Sequence, residues 1–480
     1  LSQLLRWIAL AAVASVVLLS ALRSINGATV DRDSAQSLLM SVNLAHQGVI
    51  SLDEHPPYTP SNYREPVPIV LGAAAVRLED LALGVAPAAD YFAPERVKLL
   101  KYQNLLWLAL LCVSVFWCIH IGTRSYYASL TGALLIGVLF SRGIVNDFAT
   151  ETAATAVLLL ASALLTEGLL TGRVGRCLAA GALFGLLVLI KASAFYVFVG
   201  LAALLIAVGV IWRARINVGA WTRNIGLMAA ACLVVVVPWM LRNKIQLGAL
   251  QIAQRAGVVL WVRALKDQMS PEEYAGTFYV WAPEKIQPLM GRLLGFGPRD
   301  LARGGRLQHL NRSEKSDFAA ADVAADLAGR PQEAISYYRR ARAERVKLEN
   351  QLEAAHTPNA GVVADELLQK QALKLIEAHP LRHLALTIPF LWRGAAIAFP
   401  VFVAAIGLGL YRRRYDIVLL TLPSFGLMML YALLTHFIPR YGVPLAGMAL
   451  ALLVIGATLA IRTAGQLRSG TYPRQQHRPG

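Results

Sequence analysis

Residues 31–68 read DRDSAQSLLMSVNLAHQGVISLDEHPPYTPSNYREPVP. Two strongly apolar stretches enclose this polar, proline-rich segment: residues 4–22 before it and residues 67–83 after it. Its carboxylates, histidines and arginines therefore lie at the lip of a bilayer, where ionised groups are costly unless they are used. Within it, Asp33-Ser34-Ala35-Gln36 has the pattern of a capping box opening a helix to Gly48. Leu38, Val42 and Ala45 share one face of that helix. It is expected to lie flat on the membrane surface and to hold Asp33 at headgroup height.

The 480 residues are 56% hydrophobic, with a mean hydropathy of +0.51. A water-soluble chain of this length would expose much of that apolar surface, so the expected fold class is all-α, a polytopic helical membrane protein. The net charge is +17, but the bases cluster in short links between apolar runs, which is the positive-inside pattern. Membrane lipids with anionic headgroups are the partners this implies; nucleic acid is not. Cys112, Cys118, Cys177 and Cys232 all lie in or beside apolar segments and form no CxxC pair. They read as small packing residues rather than a disulfide framework or a zinc site.

Further apolar runs cover residues 102–121, 126–144, 150–168, 175–190, 194–212, 225–241, 388–411, 416–435 and 442–461. With residues 4–22 as a retained first span and a cytoplasmic N-terminus, they give about ten crossings. A signal peptide is the alternative for that first run, although no small-x-small cleavage site follows Leu22. Arg124, Arg173, Arg176, Arg213, Arg215, Arg223, Arg412, Arg413 and Arg414 belong on the cytoplasmic side. Residues 67–83, whose end carries Arg77, Glu79 and Asp80, are expected to lie on or dip into the outer face without crossing. That choice leaves Arg96, Lys98 and Lys101 outside, against the charge rule.

The chain then divides into an N-terminal transmembrane module, 1–244, with its first outer loop at 23–66. An extracytoplasmic helical region, 245–387, C-terminal transmembrane helices, 388–462, and a disordered cytoplasmic tail, 463–480, follow.

The acids that could carry chemistry are Asp31, Asp33, Glu65 and Asp147. Each has a plainer use: Asp33 and Asp147 as N-caps, and Glu65 at the positive end of the helix that Pro66 opens. Arg64, Lys191, Arg242 and Arg440 fall on the same face. Singly, such cations are usually interfacial anchors; together they suit a phosphate group. Asp31, His55, His436 and Tyr441 are candidates for substrate contact, His55 also fitting a rigid His-Pro-Pro turn. The acids, Asp33 and Asp147 foremost, could instead hold a divalent metal such as Mg or Mn. No other cofactor is indicated.

Six pieces occur in order along the chain. They are Asp33 after the first span, Arg64-Glu65-Pro66 opening the next helix, Asp147 after another span, and Lys191 after a Gly-rich one. Pro238-Trp239-Met240-Leu241-Arg242-Asn243 then precedes the large outer loop, and Pro439-Arg440-Tyr441-Gly442-Val443-Pro444 the last span. Covering nearly the whole chain, with Ile376-Glu377-Ala378-His379-Pro380 leading into the later spans, they resemble the GT-C superfamily of membrane glycosyltransferases. The nearest branch is that of bacterial aminoarabinose transferases and protein O-mannosyltransferases. Two departures stand out. Ser34 follows Asp33 where the family often has a second acid, and Arg64-Glu65-Pro66 replaces a Glu-Lys-Pro, so no lysine role passes to Glu65.

The resemblance implies transfer of a sugar from a polyprenyl-phosphate-linked donor to a hydroxyl of a glycan, lipid or protein acceptor. The enzyme would be a multi-pass protein of the inner membrane, its active site facing the periplasm or cell exterior. Asp33, with Asp147 and Glu65 as further catalytic acids, would take the hydroxyl proton or orient the nucleophile. Arg64, Lys191, Arg242 and Arg440 would neutralise the departing phosphate, and a single displacement would invert the anomeric carbon. Two other readings remain. One is a transporter or flippase of lipid-linked or anionic solutes, although no paired repeats or broken mid-bilayer helices are visible. The other is a non-catalytic membrane subunit, in which Asp33 would tolerate an amide.

Overall fold

The computed structural model describes residues 3–28, 32–146, 150–211, 213 and 217–468. Every regular element among them is a helix, as the composition required. After α1 (Gln3–Ser24), the first polar segment holds α2 (Arg32–Gln47) and leads into α3 (Pro66–Leu83). An N-terminal bundle follows, of α4 (Pro94–Lys101), α5 (Asn104–Thr123), α6 (Tyr126–Gly143), α7 (Glu151–Thr171), α8 (Val174–Ile190), α9 (Ala194–Ile211) and α10 (Val218–Leu247). The long polar region folds as α11 (Ala256–Ala264), α12 (Pro271–Val280), α13 (Gln287–Leu294), α14 (Ala319–Leu327), α15 (Tyr337–Ala354), α16 (Ala360–Ala378) and α17 (Pro380–Ala385). The chain then returns to the bundle as α18 (Thr387–Ala395), α19 (Ala398–Tyr411), α20 (Tyr415–Leu434) and α21 (Val443–Arg468). Of the tail expected at 463–480, residues up to 468 continue α21 and the rest lie outside the described residues.

Seven helices are long and apolar enough to cross a membrane, or eight if α18 and its α17 lead-in form one span with α19 across their 104° bend. Ten were expected, and two helices account for the difference. α8 is apolar but only 17 residues long, and α6 mixes Tyr126, Tyr127, Ser129, Thr131 and Arg142 into its apolar run. α3 is not in the set, in keeping with its exclusion on charge.

Two expectations for α2 do not hold. The helix begins at Arg32, so Asp33 lies inside its first turn rather than capping it, and Gln36 accepts from Arg64 instead of reaching back. Leu38, Val42 and Ala45 do not face lipid either: they pack against Ala73 and Val76 of α3 and against Tyr91, Val97 and Leu100. The apolar face found a protein partner, which removes as much surface from water as a bilayer would.

Hydrogen bonds fix which ends of the helices lie together. Tyr126 Oη donates to the Arg6 carbonyl (2.7 Å), and Arg414 and Arg462 donate to the Gly122 and Thr123 carbonyls (each 2.5 Å). Arg6, Arg124, Arg414 and Arg462 therefore share one end of the bundle. At the opposite end Asn146 accepts from Asn26 N (2.9 Å), and Asn104 donates to the Val145 carbonyl (2.8 Å). There Lys101 is buried and donates to the Asn26 and Ala28 carbonyls (3.0 and 3.2 Å), while Arg96 pairs with Glu79 (3.0 Å). Two of the cations that broke the charge rule are thus engaged by the protein itself.

α7 is the centre of the bundle, with 83% of its apolar window buried among α5, α8, α20 and α21. Glycines let the backbones approach: a Cβ on Gly181 of α8 would stand 2.1 Å from the Met228 carbonyl oxygen of α10. All four cysteines are buried in this core, the packing role expected of them.

Candidate active site

The first outer loop is a rigid part. Asp53 accepts from Ser51 Oγ (2.9 Å) and from both Thr59 N and Oγ1 (2.6 Å each), while Asn43 donates to the Ser51 and Asp53 carbonyls. Ser61 N donates to the Ile50 carbonyl (2.8 Å), closing residues 50–61 into one loop. Pro66 at the first turn of α3 then sets where Arg64 and Glu65 stand.

Three guanidiniums converge on Asp33. Arg64 and Arg255 donate to Oδ1, the latter at 3.5 Å, and Arg440 donates to Oδ2 at 2.7 Å. These come from the first loop, the start of the long polar region and the turn before α21, as much as 407 positions apart in sequence. Desolvation alone would raise the Asp33 pKa; the charges of Arg255 and Arg64 and the hydrogen bonds from Arg64 and Arg440 outweigh it. The carboxyl is held well below the usual carboxylate range.

A second acid shares the same arginine. Glu151, at the start of α7 and 2% exposed, pairs with Arg440 Nε at 3.3 Å and with Lys191 Nζ at 3.2 Å. Lys191 also lies over the rings of Tyr441 (5.0 Å) and Tyr431 (5.9 Å). Glu65 makes no capping bond; its Oε1 accepts from Ala192 N (3.3 Å), joining the first loop to the turn after α8. Asp33, Glu151 and Glu65 thus meet Arg64, Arg255, Arg440 and Lys191, one positive charge in excess.

Asp33, Arg64, Glu65, Lys191, Arg440 and Tyr441 are gathered here as the sequence suggested. Arg242 is not: it donates to the Ser61 carbonyl (3.2 Å) and to Asn243 (2.9 Å), and its role is to brace the loop that carries Arg64. His55 is not: it is exposed, with no hydrogen bond or ion pair among the described residues. His436 lies one layer further out, its ring 5.5 Å from Tyr441. Asp31 and Asp147 lie outside the described residues.

Sequence reasoning missed Glu151 and Arg255. Glu151 follows the more conspicuous Asp147 and was absorbed into an apolar run. Arg255 stands in a polar region rich in arginine, with no local pattern to mark it. Its position is set from a distance: Asp365 of α16 accepts from Gly257 N (2.8 Å) and Val258 N (2.9 Å), capping α11 just beyond Arg255.

Among the described residues no group offers three His, Cys, Asp or Glu ligands. Asp147, expected beside Asp33 at a metal, lies outside them, and a cation at Asp33 would compete with three guanidiniums for the carboxylate.

Several solved structures are similar to the chain. An oligosaccharyltransferase of Archaeoglobus fulgidus, in complex with Zn and sulfate, matches 94% of this chain at 14% identity and a TM-score of 0.45. The chain spans about half, 51%, of that protein's length. ArnT from Cupriavidus metallidurans, bound to undecaprenyl phosphate, matches 97% of this chain and 79% of its own at 14% identity and a TM-score of 0.37. Likeness at this level says nothing of substrate or reaction. No protein-family model and no curated protein matches the chain.

Proposed function

We propose that the protein is an integral membrane glycosyltransferase that moves a sugar from a polyprenyl-phosphate carrier to a hydroxyl acceptor on the extracytoplasmic face. The observation that carries this reading is the clamp of Arg64, Arg255 and Arg440 on Asp33, with Glu151 and Lys191 alongside. It stands at the end of the bundle opposite Arg414 and Arg462. The positive-inside rule assigns that arginine-rich end to the cytoplasm and the clamp to the outside, where sugars arrive on lipids rather than nucleotides. The ordered motifs of the sequence supply the reaction class. A lateral groove of about 450 Å³, lined by Leu71, Ala75, Leu78, Leu99 and Leu106, runs along α3 and offers an apolar seat for a prenyl chain.

The clamp also bears on mechanism. Surrounded by three cations, Asp33 is a weak base. A donor phosphate would draw those guanidiniums into charge-assisted bonds of its own, and the Asp33 pKa would climb back toward the ordinary carboxylate range. Donor binding thereby arms the base. The acceptor hydroxyl gives its proton to Asp33 as its oxygen bonds to the anomeric carbon. The carbon–oxygen bond to phosphate breaks, and the phosphate leaves with the electron pair, neutralised by the arginines. One displacement inverts the centre.

Purified protein given a radiolabelled polyprenyl-phosphate sugar and a membrane extract of acceptors is expected to transfer label. Asp33→Asn should lower transfer by about 100-fold or more while the folded yield is kept. Full transfer by that variant would remove Asp33 from the mechanism. No transfer from any lipid-linked donor, together with solute flux in vesicles, would establish the transporter instead.

A further inference from the structure

We propose that the folded polar region carries a second oxyanion site, formed by Lys266, Arg312 and Arg393 around His436, that takes a phosphoryl group of a substrate. The class of ligand rests on the transferase reading; the site itself rests on unpaired charge.

Lys266 is 3% exposed, and among the described residues its Nζ donates only to the Val262 carbonyl one turn back, at 3.3 Å. It lies 5.4 Å over the Phe390 ring of α18. Arg393, one turn further along α18, donates to the His436 carbonyl (3.0 Å). The His436 ring lies 6.0 Å from that of Tyr338, and Arg312 sits 3.6 Å over Tyr338. No carboxylate among the described residues pairs with any of these three cations.

The nearby acids are already engaged. Asp267 is held by Arg263 (2.9 Å) and His383 (2.7 Å), and Asp326 by Arg339 (2.8 Å) and Arg342 (2.9 Å). His436 is 6% exposed, and its Nδ1 has no hydrogen-bond partner. Burial, then the charges of Arg312, Lys266, Arg393 and Arg255, keep its pKa well below the ordinary value, so the ring is neutral and one N–H is free to donate.

Lys266 is buried and Arg393 half-buried, with the exposed Arg312 beside them; crowding basic groups there with no carboxylate is unfavourable unless an anion completes the set. A phosphoryl group, with several acceptor oxygens and up to two charges, matches two guanidiniums, a neutral imidazole donor and the Lys266 amine. Burial, then the charges of Arg393, Arg312 and Arg263, hold the pKa of that amine well below the ordinary value until an anion is bound. The clamp on Asp33 sets three acids against four cations, whereas this cluster has no acid paired with it among the described residues. It is therefore the stronger standing anion site in the ligand-free protein. Arg255 and Tyr441 lie between the two, so a substrate spanning both would place one end at Asp33.

The test uses full-length protein in detergent, with inorganic phosphate and pyrophosphate as probes and thermal unfolding as readout. Either anion should raise the Tm of the wild type. Lys266→Met and Arg312→Gln should each lose most of that shift, whereas Asp33→Asn, which frees the clamp arginines, should keep or enlarge it. Lys266→Met should also be at least as stable as the wild type without anion, because a buried amine with no carboxylate partner has gone; a structural lysine would behave oppositely. A phosphate shift unchanged in both variants, or a clear fall in anion-free Tm for Lys266→Met, would overturn the site. In transfer assays, a raised KM confined to phosphorylated acceptors assigns the site to the acceptor. A raised KM for the donor with every acceptor assigns it to a donor phosphate. Phosphate-dependent stabilisation in a protein that transfers nothing would leave this site standing and refute the transferase reading alone.

Discussion

Asp33 and Glu151 divide the work of holding Arg440, and the two acids differ in how they can be tested. A carboxylate with a lowered native pKa contributes stability above its unfolded pKa, about 3.9, and loses that contribution as pH falls through the native value. Asp33→Asn should therefore be less stable than the wild type at pH 7, with the gap narrowing below about pH 4. Thermal unfolding across pH 3 to 7 measures this, and a gap independent of pH would mean that the arginines do not clamp the ionised carboxylate. Glu151 is buried, and removing it strands Lys191 in an apolar bundle. Glu151→Ala is expected to cost about 3–5 kcal/mol, and adding Lys191→Met should restore much of that loss, as a double-mutant cycle in thermal unfolding would reveal. Of these two acids only Asp33 was legible in sequence. It is isolated by apolar flanks, so its charge stands out. Glu151 hides because a carboxylate at the start of an apolar helix looks like ordinary favourable placement at a helix N-terminus.

Helices were the easier layer to read. An apolar run fixes an element's existence through burial or lipid contact, and α5, α7, α9, α10, α20 and α21 fall where such runs lie. What a helix packs against is another matter. The face of α2 bearing Leu38 and Val42 looked the same whether its partner was lipid or α3, since both remove apolar surface from water. The contacts of Arg242 were hidden for a related reason: a cation beside a membrane can serve a ligand or a loop carbonyl, and Ser61 lies 181 positions away. The cap on α11 shows how far such dependencies reach. Asp365→Ala should free the Gly257 and Val258 N–H groups, destabilise the protein by about 1–2 kcal/mol and loosen Arg255. The transfer rate should fall in parallel with the Arg255→Gln variant, although Asp365 touches neither Asp33 nor any group bonded to it. A variant that loses stability but keeps full transfer would separate the cap from the site.

The whole molecule is polarised, and that polarity carries the functional reading. One end gathers Arg6, Arg124, Arg414 and Arg462; the other gathers the clamp and the folded polar region. The proposed orientation, with the second end outside, rests on positive-inside sorting of the short links at the first end. Net charge alone could not have shown this, because Lys101 and Arg96 lie at the clamp end with their charges taken up by carbonyls and Glu79. The four native cysteines are buried, which leaves a quiet background for thiol labelling. Glu314→Cys, exposed in the polar region, should react with a membrane-impermeant maleimide in intact spheroplasts. Arg412→Cys, exposed at the arginine-rich end, should react only after permeabilisation. The reverse pattern would put Asp33, Glu151 and Lys191 in the cytoplasm, within reach of nucleotide sugars, and remove the need for a lipid-linked donor. Labelling at these two positions therefore decides the class of donor as well as the orientation.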